Sequence, residues 1–212
     1  MSNTQLSLIG DKYKTTKNTH VSFGKTILDI YEEYFEKKRF LPLNILEIGV
    51  LNGASLFVWN EYFPLANIFG IDINQPRIKK ENIIVYKGDQ GNVDDLETIY
   101  CDIRNKIGLN EKLDIIIDDG SHINKYTLDT FNFFWPKLNS DGLYIIEDTL
   151  CTYDKASMDW PGMHFNVAEL DLNNKREDFN TFIQDHLRYM DHDLSYMYFM
   201  HFYRNLIIMK KA

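Results

Sequence analysis

Along most of the chain, short uninterrupted apolar runs alternate with stretches in which apolar residues recur every three or four positions. The first pattern reads as a strand buried on both faces and the second as an amphipathic helix, so their alternation predicts repeated strand-helix units and a mostly parallel sheet. A helix is expected over about 22–38, where Phe23, Ile27, Ile30, Tyr31 and Tyr34 share a face. Strands follow at 44–50, 68–73, 83–86, 113–117 and 143–146, with helices at about 54–62, 94–106 and 125–138. Asn52-Gly53, Gly88-Asp89-Gln90 and Ser140-Asp141-Gly142 supply turns between them. Near the end the pattern changes, and 196–202 and 206–209, flanking Tyr203-Arg204-Asn205, predict an antiparallel hairpin that closes the sheet.

Two stretches lack this order. Gly10-Asp11-Lys12-Tyr13 and His20 precede the first expected helix, and read either as a cover over a ligand or as a disordered terminus. Residues 151–178 carry Trp160, Pro161, Gly162, Met163, His164 and Phe165 without clear periodicity, and a loop of that length reads as a functional lid. At 212 residues the whole chain, 1–212, is expected to form one domain, with 1–40 as an N-terminal cap and helix and 151–178 as the lid.

The chemistry gathers where apolar runs end. Asp118-Asp119-Gly120-Ser121-His122 follows one strand and Glu147-Asp148-Thr149 another, so both acidic knots converge on the carboxyl edge of one sheet, where open α/β folds bind ligands. Four carboxylates and an imidazole there repel one another unless a cation joins them, which points to a metal, a positively charged cofactor, or both. Asp119, Glu147 and Asp148 offer the oxygen ligands a hard cation such as magnesium takes, and His122 stands where it would accept a proton from an acceptor hydroxyl. Plainer roles compete: Ser121 or Asp118 as a helix cap, Glu147 and Asp148 as partners of a helix dipole, and His122 as a structural histidine.

Upstream, Leu46-Glu47-Ile48-Gly49-Val50-Leu51-Asn52-Gly53 is a strand running through a glycine turn into a helix. Gly49 and Gly53 permit close approach of the backbone to a ligand. The dinucleotide pattern GxGxxG is absent, and Glu47, two residues before Gly49, suits a cofactor with an amine and no pyrophosphate, such as S-adenosylmethionine. Asp72, ending the next strand, is placed for the ribose hydroxyls of an adenosine cofactor, and Asp89-Gln90 reads either as a contact to its adenine or as a polar loop.

Composition narrows the field. A formal net charge of −8, with basic residues clustered only in pairs, disfavours nucleic acid as a partner. Cys101 and Cys151 follow no ligand spacing, no secretory signal is evident, and no run of apolar residues is long enough for a membrane span, so a reducing cytoplasm is expected.

These residues resemble the metal-dependent sugar O-methyltransferases that use S-adenosylmethionine, in particular the catalytic domain of the mycinamicin-type macrolide sugar enzymes. The resemblance runs through Asp11-Lys12-Tyr13, 46–50, Trp59, Tyr62-Phe63-Pro64, 70–73, 88–90, 115–122, 143–149 and 202–206, and is most specific in IIDDGSHI followed by GLYIIEDT. It implies a class I methyltransferase fold, α/β and Rossmann-like, with a seven-stranded, mostly parallel sheet, one antiparallel strand near the end, and helices on both faces. It implies magnesium on Asp119, Glu147 and Asp148, His122 as general base, and S-adenosylmethionine held by Glu47, Gly49, Gly53, Asp72, Asp89, Gln90 and Asp118. The chain departs from the pattern at Leu51, where many methyltransferases have a second glycine, and it is expected to lack the macrolide enzymes' additional N-terminal domain. The implied acceptor is a sugar hydroxyl, on a nucleotide-linked sugar or a surface or capsular glycan of a bacterium, and a homo-oligomer is plausible for the family. Competing readings are a methyltransferase or hydroxylase acting on a small non-sugar acceptor, and a non-catalytic subunit that keeps the fold.

Overall fold

The computed structural model describes residues 4–18, 21–22, 24–153, 175–192 and 196–212. His20, Phe23, Trp160, His164 and most of the expected lid lie outside the described residues.

The chain opens with a helix that its polar start did not announce, α1 (Gln5–Tyr13). The Thr4 hydroxyl caps it by accepting the Ser7 amide, and Leu6 and Ile9, one turn apart, are buried. A short 3-10 turn, Thr16–Asn18, leads to a two-stranded ribbon, β1 (Val21–Ser22) and β2 (Lys25–Thr26), and then to α2 (Ile27–Phe35). This helix starts later than residue 22 because Thr26 and Asp29 form a reciprocal capping box, each side chain bonding the other's backbone amide, while the preceding residues pair as a ribbon.

From there the expected alternation holds: β3 (Asn44–Ile48), α3 (Ala54–Tyr62), β4 (Asn67–Asp72), β5 (Ile83–Lys87), α4 (Val93–Ile107), β6 (Leu113–Asp118), α5 (Asn124–Phe134) and β7 (Leu138–Glu147). Pro136 limits the end of α5 to a 3-10 turn. β7 begins before the predicted residue 143, at Leu138, with Asp141 in the left-handed region and an irregular register against β6. A helix not foreseen, α6 (Arg176–Asp191), precedes the closing hairpin of β8 (Met197–Tyr203) and β9 (Leu206–Lys211). No described helix is long and apolar enough to cross a membrane.

The large sheet has seven strands in the order β5-β4-β3-β6-β7-β9-β8. Pairing is parallel from β5 to β7, while β9 runs antiparallel to both neighbours and is the single reversed strand. Strand order reverses between β3 and β6, and the crevice of such a sheet opens at this switch point.

Alternate strand residues feed two cores. Ile45, Ile68, Ile115, Ile117, Leu143 and Ile145 join the core that includes α1, α2 and α3, while Leu46, Ile48, Phe69, Ile71, Ile116, Tyr144 and Ile146 join that of α4, α5 and α6. The same parity sorts the acids. Glu47 and Glu147 continue the first set and Asp118 the second, so neighbouring strand ends send their carboxylates to opposite faces.

Candidate active site

The crevice is built on a turn that only glycine fits. Gly49 sits at φ +83°, and a Cβ placed there would lie 1.9 Å from the Asp119 carbonyl oxygen. The turn after β3 therefore packs backbone to backbone on the knot after β6, with the Asp119 amide donating to the Ile48 carbonyl at 2.9 Å. Leu51, the residue standing in place of a second glycine, takes the left-handed conformation itself at φ +52° with its side chain exposed. Gly53, at φ +84°, caps α3. The Asp72 carboxylate accepts the Val50 and Leu51 amides, both at 2.8 Å, and so braces this turn from β4.

On the first face, Glu47 is buried and accepts the Ser55 hydroxyl at 2.7 Å and the Trp59 indole at 2.5 Å. Burial raises its pKa, opposed by the Lys17 charge and these donors. Glu147 is 5% exposed and accepts from the Lys17 ammonium at 2.7 Å and the Tyr31 hydroxyl at 2.6 Å. Burial and the nearby Asp119 push it to about 8 even against those two donors. Lys17 spans the group, 2.7 Å from Asp119 and 3.5 Å from Glu47. Burial alone would lower its pKa, but Asp119, Glu147 and Glu47 together raise it well above the usual value, so it stays charged. Between the 3-10 turn and the glycine turn lies a cavity of about 50 Å³, lined among others by Thr15, Lys17, Glu47, Gly49, Ser55 and Asp119.

On the second face, Asp118 is 2% exposed, accepting from the Gln90 amide at 2.7 Å and from the Gly120 backbone at 3.4 Å. Gln90 also accepts the Ser121 amide at 2.8 Å. Its amide thus ties β5's end to the knot after β6, while Asp89 accepts the Gly91 amide in a local turn. Burial raises Asp118 to about 7, with Asp119 adding to the effect and Gln90 and Gly120 opposing it.

Such a shift makes a stability prediction. A carboxyl whose folded pKa lies above its unfolded value contributes stability that is fully present below the unfolded pKa, near 4, and is lost as pH rises through about 7. Asp118→Asn retains the acceptor for Gln90 and removes the buried charge. In chelator-treated protein its melting temperature should match wild type near pH 4 and exceed it at pH 8, by roughly 2–4 kcal/mol of stability. A gap that is constant with pH would show that Asp118 titrates normally.

At the open edge, Asp119, His122 and Asp148 bring ligand atoms within 4.8 Å of one another. His122 Nε2 lies 3.5 Å from Asp148, which also accepts from the Asn205 amide of the β8-β9 turn. His122 and Asp148 both adopt left-handed backbones, φ +56° and +52°, a cost of order 1–3 kcal/mol each for a side-chain-bearing residue. Two carboxylates and an imidazole within that span suit a hard divalent cation, with imidazole as an added ligand or a neighbouring base. The structure thus groups Asp119 and Asp148 with His122 rather than with Glu147, which it holds on Lys17 and Tyr31. Sequence reasoning missed Lys17 and Ser55, and placed Tyr31 only on the apolar face of a helix.

The ends of the lid-like stretch are fixed. Buried Asn124, at the start of α5, donates to the Thr152 carbonyl at 3.0 Å and the Lys175 carbonyl at 2.9 Å, and Arg176 bonds the Thr152 hydroxyl. Both boundaries therefore sit beside the acidic knots.

No protein-family model matches the chain. It is 32% identical over 165 residues to the mycinamicin VI 2''-O-methyltransferase of Micromonospora griseorubida, a match covering 74% of this chain and 37% of that protein. It is 34% identical over 139 residues to the L-olivosyl-oleandolide 3-O-methyltransferase of Streptomyces antibioticus, covering 62% and 33%. The matches span about a third of these relatives' own length. Among solved structures, the MycE methyltransferase of the mycinamycin biosynthetic pathway, in complex with magnesium, SAH and mycinamycin VI, superposes with a TM-score of 0.75 at 26% identity, covering 99% of this chain and 55% of that one. The chain has a class I methyltransferase fold and is homologous to the macrolide and tetracenomycin sugar O-methyltransferases.

Proposed function

We propose that this protein transfers a methyl group from S-adenosylmethionine to a sugar hydroxyl, using a divalent cation. The observation that carries the reading is the meeting, at one sheet edge, of the Gly49 turn with the Asp119, His122 and Asp148 cluster. The cofactor belongs against the turn, over Glu47, Gly49, Gly53 and Asp72, with Asp89, Gln90 and Asp118 shaping the far side of the crevice from β5 and β6. Asp119 and Asp148 would hold the cation, with Glu147 as a further oxygen ligand beside them. A magnesium ion there supplies charge that favours the alkoxide form of a bound sugar hydroxyl. His122 takes the hydroxyl proton, and the oxygen attacks the sulfonium methyl, leaving S-adenosylhomocysteine. Holding both reactants in line contributes roughly 7–11 kcal/mol toward the barrier.

For the acceptor, we propose a glycosyl unit with neighbouring hydroxyls, on a nucleotide-linked sugar or an assembled surface glycan, used by a cytoplasmic enzyme that works as a homo-oligomer. The relatives' names specify sugars on larger compounds, such as olivosyl-oleandolide and rhamnosyl tetracenomycin C, so glycosides of small aglycones belong in the same test. The protein should be incubated with S-adenosylmethionine and a panel of nucleotide sugars, glycan oligosaccharides and glycosides, and products followed by the mass of one added methyl. Methylation that stops with EDTA and returns with magnesium is expected. Methylation unaffected by EDTA would remove the metal from the mechanism, and failure to bind S-adenosylhomocysteine would remove the methyltransferase reading.

A further inference from the structure

Lys17 does not belong to either knot, yet among the described residues it is the most enclosed cation near them. It is 3% exposed, and its ammonium has three protons for three carboxylates: Asp119 and Glu147 at 2.7 Å and Glu47 at 3.5 Å. Glu47 and Glu147 are buried and Asp119 is partly exposed, so the three carboxyls when ionised place three negative charges around one ammonium, and Lys17 offsets one. Removing that offset would leave like charges buried together, which costs several kcal/mol per ion. Lys17 and Tyr31 both donate to the same Glu147 oxygen, Oε1, and the ligand atoms grouped within 4.8 Å of one another are those of Asp119, His122 and Asp148.

We propose that Lys17 is the resident cation of this pocket, and that a divalent ion gains Glu147 Oε1 and Asp119 Oδ2 only by displacing the Lys17 ammonium. This rests on the metal-dependent reading above. An ammonium about 4 Å from a divalent ion would oppose it by roughly 8 kcal/mol at an effective dielectric constant of 20, so the two cations do not share the carboxylates at full occupancy. Because Lys17 also lines the cavity beneath the glycine turn, its release reshapes one wall of the cofactor site.

Lys17→Met keeps the aliphatic stem and removes the charge. Titration calorimetry with Mn²⁺ on cofactor-free protein should show the variant binding at least about tenfold more tightly than wild type, with a lower melting temperature without metal that Mn²⁺ restores. Equal or weaker Mn²⁺ binding by Lys17→Met would overturn the displacement. Absence of Mn²⁺ binding by both proteins would instead overturn the metal reading on which it stands. If the variant does not fold, acetylation of Lys17 in the wild type, read by mass spectrometry, decides the matter. It should be slow without metal and accelerate at saturating Mn²⁺, and unchanged protection would count against displacement.

Discussion

Gly49→Ala is expected to lower affinity for S-adenosylhomocysteine about a hundredfold and to depress methyl transfer at least as far. The added methyl would lie 1.9 Å from the Asp119 carbonyl oxygen, which is backbone and cannot rotate away. Either the glycine turn or the knot after β6 must retreat by more than an ångström, and displacements of that size in a positioned site cost about 10²-fold. The left-handed φ of +83° adds roughly 1–2 kcal/mol for a residue with a Cβ. Calorimetric titration with S-adenosylhomocysteine, with a thermal melt of the same sample, separates the local effect from general unfolding. A folded variant with wild-type affinity would show that the turn does not shape the cofactor site.

His122→Ala is expected to reduce kcat by about 10²- to 10⁴-fold while leaving affinity for S-adenosylhomocysteine within a few-fold of wild type, the range for loss of a general base. The imidazole lies 3.5 Å from Asp148 at the open edge and does not line the cavity beneath the glycine turn, so its removal falls on proton transfer and acceptor placement. The measurement is a steady-state comparison with the acceptor identified from the panel. Unimpaired kcat would make His122 a structural or ligand histidine. Loss of cofactor affinity alongside kcat would place it in building the site instead.

The alternation of strands and helices was legible because buried parallel strands are continuous apolar runs, and such runs leave little competing interpretation between 44 and 146. Boundaries and the ends of the chain were less so. α1 was missed because its apolar stripe is short, Leu6 and Ile9 with Tyr13 partly buried, and its stability comes from packing on α2 and α3. α6 was missed for a similar reason, since Phe179 is its one fully buried side chain. The start of α2 moved to residue 27 because a capping box outweighed the apolar spacing upstream.

The acidic knots show the division most clearly. Their place at the sheet's carboxyl edge follows from strand direction, and the opposed faces of Glu147 and Asp118 from strand parity, so both are written in the local order of residues. What neutralises them is not. Lys17 reaches Asp119 across 102 positions and Glu147 across 130, and Tyr31 reaches Glu147 across 116. No local periodicity encodes contacts of that separation, because they depend on where α2 and the turn after α1 dock on the finished sheet. Local residue order dictates a mostly parallel sheet with two acids at each of two strand ends. The docking of distant segments sets which of those acids meet a buried lysine, as Glu147 and Asp119 do, and which stay at the open edge, as Asp148 does, since burial and distance, not residue type, set the cost of an uncompensated charge.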